Sequence, residues 1–408
     1  MKSSWFVAGA VVALSVMCRN VAAQDGPEGL NKSDDVSVVV AGNNQFAFDL
    51  YGKLRAQEGN IFFSPYSVST ALAMTYAGAR GATAEEMART LHFTLPPERL
   101  HPAFRRLIRS MNEGGKKGAF ELSVANALWG KSGAGFLPAY LQLVERDYGA
   151  ALRELDFGAS EEARRTINDW VEKQTRDRIK ELLKAGMITP QTELVLTNAI
   201  YFKGQWASKF KPDATKPEPF MLAGGKKIET PMMNCRGDYK YMEKPEFQMI
   251  ELPYVGDRLS MLVLLPRKIA GMGEIEKSLT DNNLAKWLKE LRKQEVIVAL
   301  PKYKLTCEFG LNEALKAMGM RLAFGGADFS GMDGRGGLVI SQVQHKAFVD
   351  VNEEGTEAAG ATAVTMIRSS ALPQPTPVFR ADHPFIFLIR DNETGSVLFL
   401  GRLANPEG

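Results

Sequence analysis

The stretch from Glu353 to Leu372, EEGTEAAGATAVTMIRSSAL, constrains this chain most, because it lies between strand-like runs near the C-terminus yet offers nothing to build a core from. HKAFVDV, from His345 to Val351, alternates apolar and polar residues as a half-buried strand does, and PFIFLIR and SVLFLGRL further on read as buried strands. Between Gly355 and Ala363 the side chains are only Thr, Glu, Ala and Gly. A connection this long is usually functional or unstructured. As a strand, it would place Thr356, Ala358, Gly360, Thr362, Val364 and Met366 on one face and Glu357, Ala359, Ala361, Ala363 and Thr365 on the other. The first face carries no charge, so a segment that waits in solvent could later slide between two strands already packed over a core. Composition alone favours the plainer reading of a flexible alanine-rich loop.

EEGTEAAGATAV resembles the hinge of the reactive-centre loop of inhibitory serpins, and FRADHPFIFLIRDNETGSVLFLGRLANP resembles the serpin C-terminal signature. The resemblance runs from about Val39 to Pro406. It implies an α+β serpin fold with three β-sheets, about eight or nine helices and an exposed reactive-centre loop at about 353–376, in one domain spanning 39–408. The hinge would comprise Glu353, Glu354, Gly355, Thr356, Glu357, Ala358, Ala359 and Gly360. Ser64, Ser67, Asn198 and His345 would form the shutter where strands part, with Trp206 near the upper end of that sheet. INDWVEKQT, with Asn168, matches the family helix that lies across the sheet and must shift if a strand enters.

The implied function is that of a secreted inhibitor of serine proteases acting as a suicide substrate: the loop is cut, inserts into the central sheet and traps the acyl-enzyme. The inhibitor supplies no catalytic residue and requires no metal or cofactor. A non-inhibitory serpin acting as carrier or chaperone is the alternative. Counted from Glu353, the seventeenth residue is Ser369, the usual family spacing for the residue before the cut, which makes Ser369–Ser370 the scissile bond. Arg368 competes, the two choices implying an elastase-like or a trypsin-like extracellular protease respectively, and Ile367 or Met366 would suit a chymotrypsin-like one.

The rest of the chain agrees with an ordinary globular protein. It has 408 residues, is 45% hydrophobic and 24% charged, and shows neither a linker nor an internal repeat. A net charge of +3 without a dominant basic block gives no reason to expect nucleic acid, and a monomer is expected. Residues 1–23 read as a signal peptide: Lys2, an apolar run from Trp5 to Met17, and small residues ending at Ala23. That run is too short to span a bilayer, so the protein would be secreted and extracellular, or periplasmic in a bacterium. Residues 24–38 read as a flexible tail. Cys235 and Cys307 lie in separate strand-like segments, without metal-ligand spacing and without a disulfide framework.

Ser64, Pro65 and Ser67 mark the capped start of a buried helix ending near Gly78. A later helix carries Arg99, Arg105, Arg106 and Arg109 with Lys116 and Lys117, a solvated face by the plain reading, or a polyanion site at Arg105, Arg106 and Arg109. FELSVANALWG alternates as a strand of the large sheet. His92, His101, His345 and His383 are scattered, and His345 reads as a buried histidine bonded to Asn198 or a serine hydroxyl rather than a catalytic base. FGGADFSGMDGRGG reads as a surface loop, and the sequons at Asn31 and Asn392 as glycosylation sites in a eukaryotic secretory pathway, Asn392 in an accessible turn.

Overall fold

A computed structural model describes residues 32–116, 120–356 and 375–408. The leader, Asn31, Lys117, hinge positions Glu357 to Gly360, and Met366, Ile367, Arg368, Ser369 and Ser370 lie outside the described residues. The first six helices are α1 (Lys32–Leu54), α2 (Pro65–Tyr76), α3 (Gly81–Leu91), α4 (Pro97–Lys116), α5 (Pro138–Tyr148) and α6 (Ser160–Gln174). Four shorter helices follow, making ten among the described residues. In chain order the strands are β1 (Ile61–Phe63), β2 (Phe120–Lys131), β3 (Leu152–Leu155), β4 (Leu194–Gln205), β5 (Lys216–Met221), β6 (Lys227–Glu243), β7 (Phe247–Pro253), β8 (Leu259–Pro266), β9 (Arg292–Pro301), β10 (Tyr303–Gly310), β11 (Ile340–Asn352), β12 (Gly355–Thr356), β13 (Val378–Arg380), β14 (Phe385–Asp391) and β15 (Val397–Leu403).

These strands form two hydrogen-bonded networks among the described residues. A six-stranded sheet has the order β10-β11-β12-β4-β2-β3. A nine-stranded network runs β1-β15-β14-β8-β7-β6-β9-β13, with β5 also on β6. The 17-residue β6 makes one network of what would otherwise count as two sheets. Its first part pairs with β5 and β9, and its last residues, Lys240 to Glu243, pair with β7. The three expected sheets are thus the six-stranded one and two that share β6.

Why α2 starts where it does is plain from local chemistry. Ser64, in an extended conformation, accepts a hydrogen bond from the Ser67 amide, and Pro65 occupies the first turn, where a missing N–H costs nothing. Val68, Leu72 and Met74 are fully buried, so this helix is a core element rather than a surface one. The alternation in β2, β10 and β11 sets one face against that core, while Ala125, Val171, Ile179, Leu182 and Ala199 pack a smaller cluster on the sheet's other face beneath α6.

Two expectations need correction. α1 begins at Lys32, inside the segment read as tail, because Asp34 and Asp35 suit the positive end of a helix and Asp35 is paired with Arg99 and Arg106 of α4. The glycine-rich FGGADFSGMDGRGG is not merely a surface loop. Ala327, Phe329 and Met332 are buried, and Met332 occupies the space left by Gly78, where a Cβ would lie 2.2 Å from its Cγ.

Candidate functional site: a seam that opens at one end

β11 and β4 are neighbours in an unusual way. Over most of their length they pair directly and in parallel, from Ile340 opposite Leu194 to Phe348 opposite Tyr201. At their upper end β12 separates them, antiparallel to both: Gly355 pairs with Asn352 and Gln205, and Thr356 with Val351 and Gly204. The chain turns back at Glu353 and Glu354 and starts a new strand inside the sheet.

That turn is tied down by Trp206, expected near this end of the sheet, and by groups the sequence reading did not single out. Trp206 N–H donates to Glu354 O at 3.0 Å, Phe210 N–H to Glu353 O at 3.0 Å, and the Trp206 indole Nε1–H to Asn352 O at 3.0 Å. The indole stacks on Tyr254 at 4.7 Å, which fixes the donor. Glu353 accepts from Lys302 Nζ at 2.8 Å and Thr215 Oγ1 at 2.8 Å, and Glu354 pairs with Lys209 at 2.6 Å. Burial pushes the Glu353 carboxyl up, but Lys302, its own amide and Thr215 together hold it below the ordinary carboxylate range. Glu353→Lys is expected to cost about 2 kcal/mol, discounted for the part-exposed lysine, and adding Lys302→Glu should recover part of the loss. Urea unfolding of both variants and the double variant measures that coupling.

Midway along the seam the expected shutter residues do meet. Ser64 N–H donates to His345 Nε2 at 3.0 Å, so Nδ1 carries the proton and donates to Asn198 Oδ1. Asn198 Nδ2 donates in turn to Ser67 Oγ at 2.6 Å and to Asn126 Oδ1. Ser64 Oγ donates to Leu398 O at 2.6 Å. His345 and Asn198 sit opposite each other in register, so their bond bolts β11 to β4. Complete burial pushes the imidazole down to about 3, against the upward pull of Asn198, which keeps it neutral and unsuited to acid–base catalysis at pH 7. Asn126 was missed by sequence reading. The alternation of FELSVANALWG places it on β2, and only the β2–β4 register sets it opposite Asn198.

A strap crosses the same seam. After α6, Arg178 lies over the Tyr201 ring of β4 at 5.8 Å, Lys346 of β11 donates to Lys180 O at 2.8 Å, and Glu308 of β10 holds both Lys184 and Lys346. Arg176, Asp177 and Glu181 have φ of 51°, 61° and 53°, left-handed conformations that non-glycine residues adopt at a cost. Asn168 fixes α6 to this strap through both ends of its amide, donating to Leu183 O at 2.9 Å and accepting from Leu183 N–H at 2.8 Å.

Other candidate residues stand apart from the seam. Arg105 is paired with buried Asp147 and Arg106 with Asp35, which leaves Arg109 as the exposed cation of the three and removes the ready-made polyanion row. His92, His101 and His383 each bond a structural partner, namely Asp49, Tyr148 and both Asp382 and Pro266. Cys235 and Cys307 are free thiols, each pushed up to about 11 by burial. Asn392, expected to be accessible, is half-buried with its amide donating to Asp257 O and accepting from Ser260 and Arg390. No group of three metal-ligating side chains occurs among the described residues. Nor, among them, is any helix long and apolar enough to cross a membrane.

β11 and β4 are thus bolted together in their middle and parted at one end by β12. The family model for serpins, described as serine protease inhibitors, matches residues 41–406, and the chain belongs to that family. It is 44% identical over 377 residues to the leukocyte elastase inhibitor of Homo sapiens, covering 89% of this chain and 98% of that one. An uncharacterised serpin-like protein of Thermococcus kodakarensis is 43% identical over 371 residues, 90% of this chain and 86% of the other. Among solved structures, human thyroxine-binding globulin superposes with a TM-score of 0.83 at 31% identity, covering 92% of this chain and all of that one. Uncleaved ovalbumin gives 0.81 at 30% identity, covering 90% and 100%. The protein is accordingly a serine protease inhibitor and not an enzyme.

Proposed function

We propose that the protein is a secreted suicide substrate that inhibits a serine protease by inserting its cut loop between β11 and β4. The observation that carries this reading is β12, a strand already begun in the seam. Continuing its register sets position 358 level with Val349 and Phe202, position 360 level with Ala347 and Ile200, and position 362 level with His345 and Asn198. All six of those partners are buried, so an inserted strand must bring small uncharged residues to these positions, and Ala358, Gly360 and Thr362 qualify. Insertion gives up one ladder and forms two. At roughly 1 kcal/mol net per hydrogen bond, about ten new bonds release on the order of 10 kcal/mol. That release drags the acylated protease away and distorts its active site, where a shift of about 1 Å costs roughly a hundredfold in rate.

Thr356→Arg and Ala358→Pro are expected to yield a substrate in place of an inhibitor, since insertion would bury a charge or lose a ladder donor. Titration of protease activity against inhibitor should show a rise of at least about tenfold in molecules consumed per protease inactivated, the ratio that about 1.4 kcal/mol sets. Similarity to leukocyte elastase inhibitors supports cleavage after Ser369, with Arg368 the competing position. Mass spectrometry of the released C-terminal peptide decides between them. The leader that ends at Ala23 supports export, and N-terminal sequencing of protein recovered outside the cell tests it. Incubation with elastase-like and trypsin-like proteases should give a covalent adduct that survives denaturing electrophoresis. Its absence across such a panel would favour a non-inhibitory carrier or chaperone with the same fold.

A further inference from the structure

About 18 Å along α2 from Ser64, at 1.5 Å per residue, the helix ends at a pocket that the inhibitory reading does not use. It is a half-open cleft between α2, α3, α4 and α5 of about 630 Å³, within the range of small-molecule sites. Its wall is apolar: Tyr76, Ala84, Pro97, Pro102 and Leu143. Four charged or polar side chains, His101, Arg80, Glu98 and Arg146, break that surface, and His101 and Arg80 are each held in place from behind.

His101 of α4 lines the pocket while only 3% exposed. Its Nδ1 is 2.6 Å from the Tyr148 hydroxyl, itself buried, and among the described residues Nε2 has no hydrogen-bond partner. If Nδ1 carried the proton, the Tyr148 O–H would be buried without an acceptor. The arrangement that satisfies it has Tyr148 donating to Nδ1, which puts the proton on Nε2 as an open donor. Burial pushes His101 down to about 4, with Asp147 pulling the other way, so the ring is a neutral donor at physiological pH.

Arg80 stands at the lip. Its Nη1 donates to Ala77 O at 3.1 Å and Ala79 O at 2.7 Å, and its guanidinium lies against Gly331, where a Cβ would come within 2.4 Å. Among the described residues Nε and Nη2 have no hydrogen-bond partner. Arg146, also on the lip, is forked onto Asp147 at 3.0 and 2.7 Å and so is matched already. Glu98 on the lip and Asp328 beside Arg80 are the opposing charges, and Asp328 is occupied by the Ser330 amide.

We propose that this pocket binds a small amphipathic carboxylate, with its apolar body against Pro97, Pro102 and Leu143 and its acceptor oxygens on His101 Nε2–H and Arg80. The site is independent of the inhibitory mechanism. Isothermal titration of the full-length protein with octanoate and 1-naphthoate should show one saturable site for at least one of them. Octanol should bind at least about tenfold more weakly than octanoate, as loss of a charge-assisted hydrogen bond predicts, and octylamine not at all. Ala84→Leu, which fills the pocket from a half-exposed helix position, should abolish binding without lowering the melting temperature, and Arg80→Gln should weaken it about tenfold. The proposal is overturned if neither acid binds saturably, if octanol equals octanoate, or if Ala84→Leu binds as the parent does.

Discussion

Gly355→Val is expected to leave a folded protein that proteases cut and release, consuming at least about tenfold more inhibitor per protease inactivated than the parent. Gly355 holds φ at 139°, a conformation that a β-branched residue adopts only with strain. A Cβ there would lie 2.2 Å from Gly204 O, 2.6 Å from Gln205 Cα and 2.7 Å from Trp206 N. All three are backbone atoms of the strand that the hinge must run beside, and they cannot rotate aside. Under the proposed mechanism, entry of the loop would be obstructed at its first residue, while cleavage at the proposed bond near Ser369 would be untouched. Only about 1.4 kcal/mol on the insertion barrier gives a tenfold change in the balance between trapping and release. Gly59→Ala is the control, since Gly59 has φ of 81° but nothing within 4 Å of where its added methyl would sit, and it should leave the ratio unchanged. An unaltered ratio in Gly355→Val would sink the view that this position is the entry point of the strand.

The second large effect is acid lability. His345 titrates near 3 in the folded chain and near 6.5 unfolded, so the unfolded state binds the proton first as pH falls. Stability is complete above about pH 6.5 and is lost between there and about pH 3, at about 1.4 kcal/mol per pH unit, which amounts to on the order of 5 kcal/mol. His101, pushed down to about 4, acts with the same sign over a narrower range. The lowered carboxyls of Asp35, Glu353 and Asp382 lose stability in the same direction as pH falls below the ordinary carboxylate range, from about pH 4 downward, overlapping the lower part of the histidine window. His345→Gln keeps hydrogen-bonding groups but does not titrate. Urea unfolding as a function of pH should show a shallower slope in this variant between about pH 6 and 4 than in the parent, by close to one proton. Parallel curves for the two proteins would mean that His345 is not the buried neutral bolt between β11 and β4.

The hinge and the shutter were legible to different degrees for physical reasons. A two-residue period of small side chains is a local property, so the uncharged face from Thr356 to Met366 could be read from residue order alone. The N-cap at Ser64 is equally local, one hydroxyl serving an amide three residues on. His345 and Asn198 were placed by resemblance, whereas Asn126 and Lys302 went unnoticed. Nothing near Asn126 in the chain distinguishes it from any polar residue in an alternating strand. The arginines of α4 show the reverse error: their spacing suggested a free basic row, but Asp35 and Asp147, distant in sequence, pair with three of them, Arg99, Arg105 and Arg106.

What the amino-acid order decided unaided is which segments become strands and helices and which segment is small and neutral enough to be swallowed by a sheet, because these depend on period, capping and side-chain size over a few residues. Tertiary structure alone decided that β11 and β4 pair in parallel with Asn198, not a serine hydroxyl, facing His345, that the strap after α6 lies across them, and that the new strand has already begun at Gly355. Apart from Arg178 over Tyr201, those contacts join residues more than a hundred positions apart, and strand register, not local propensity, sets them.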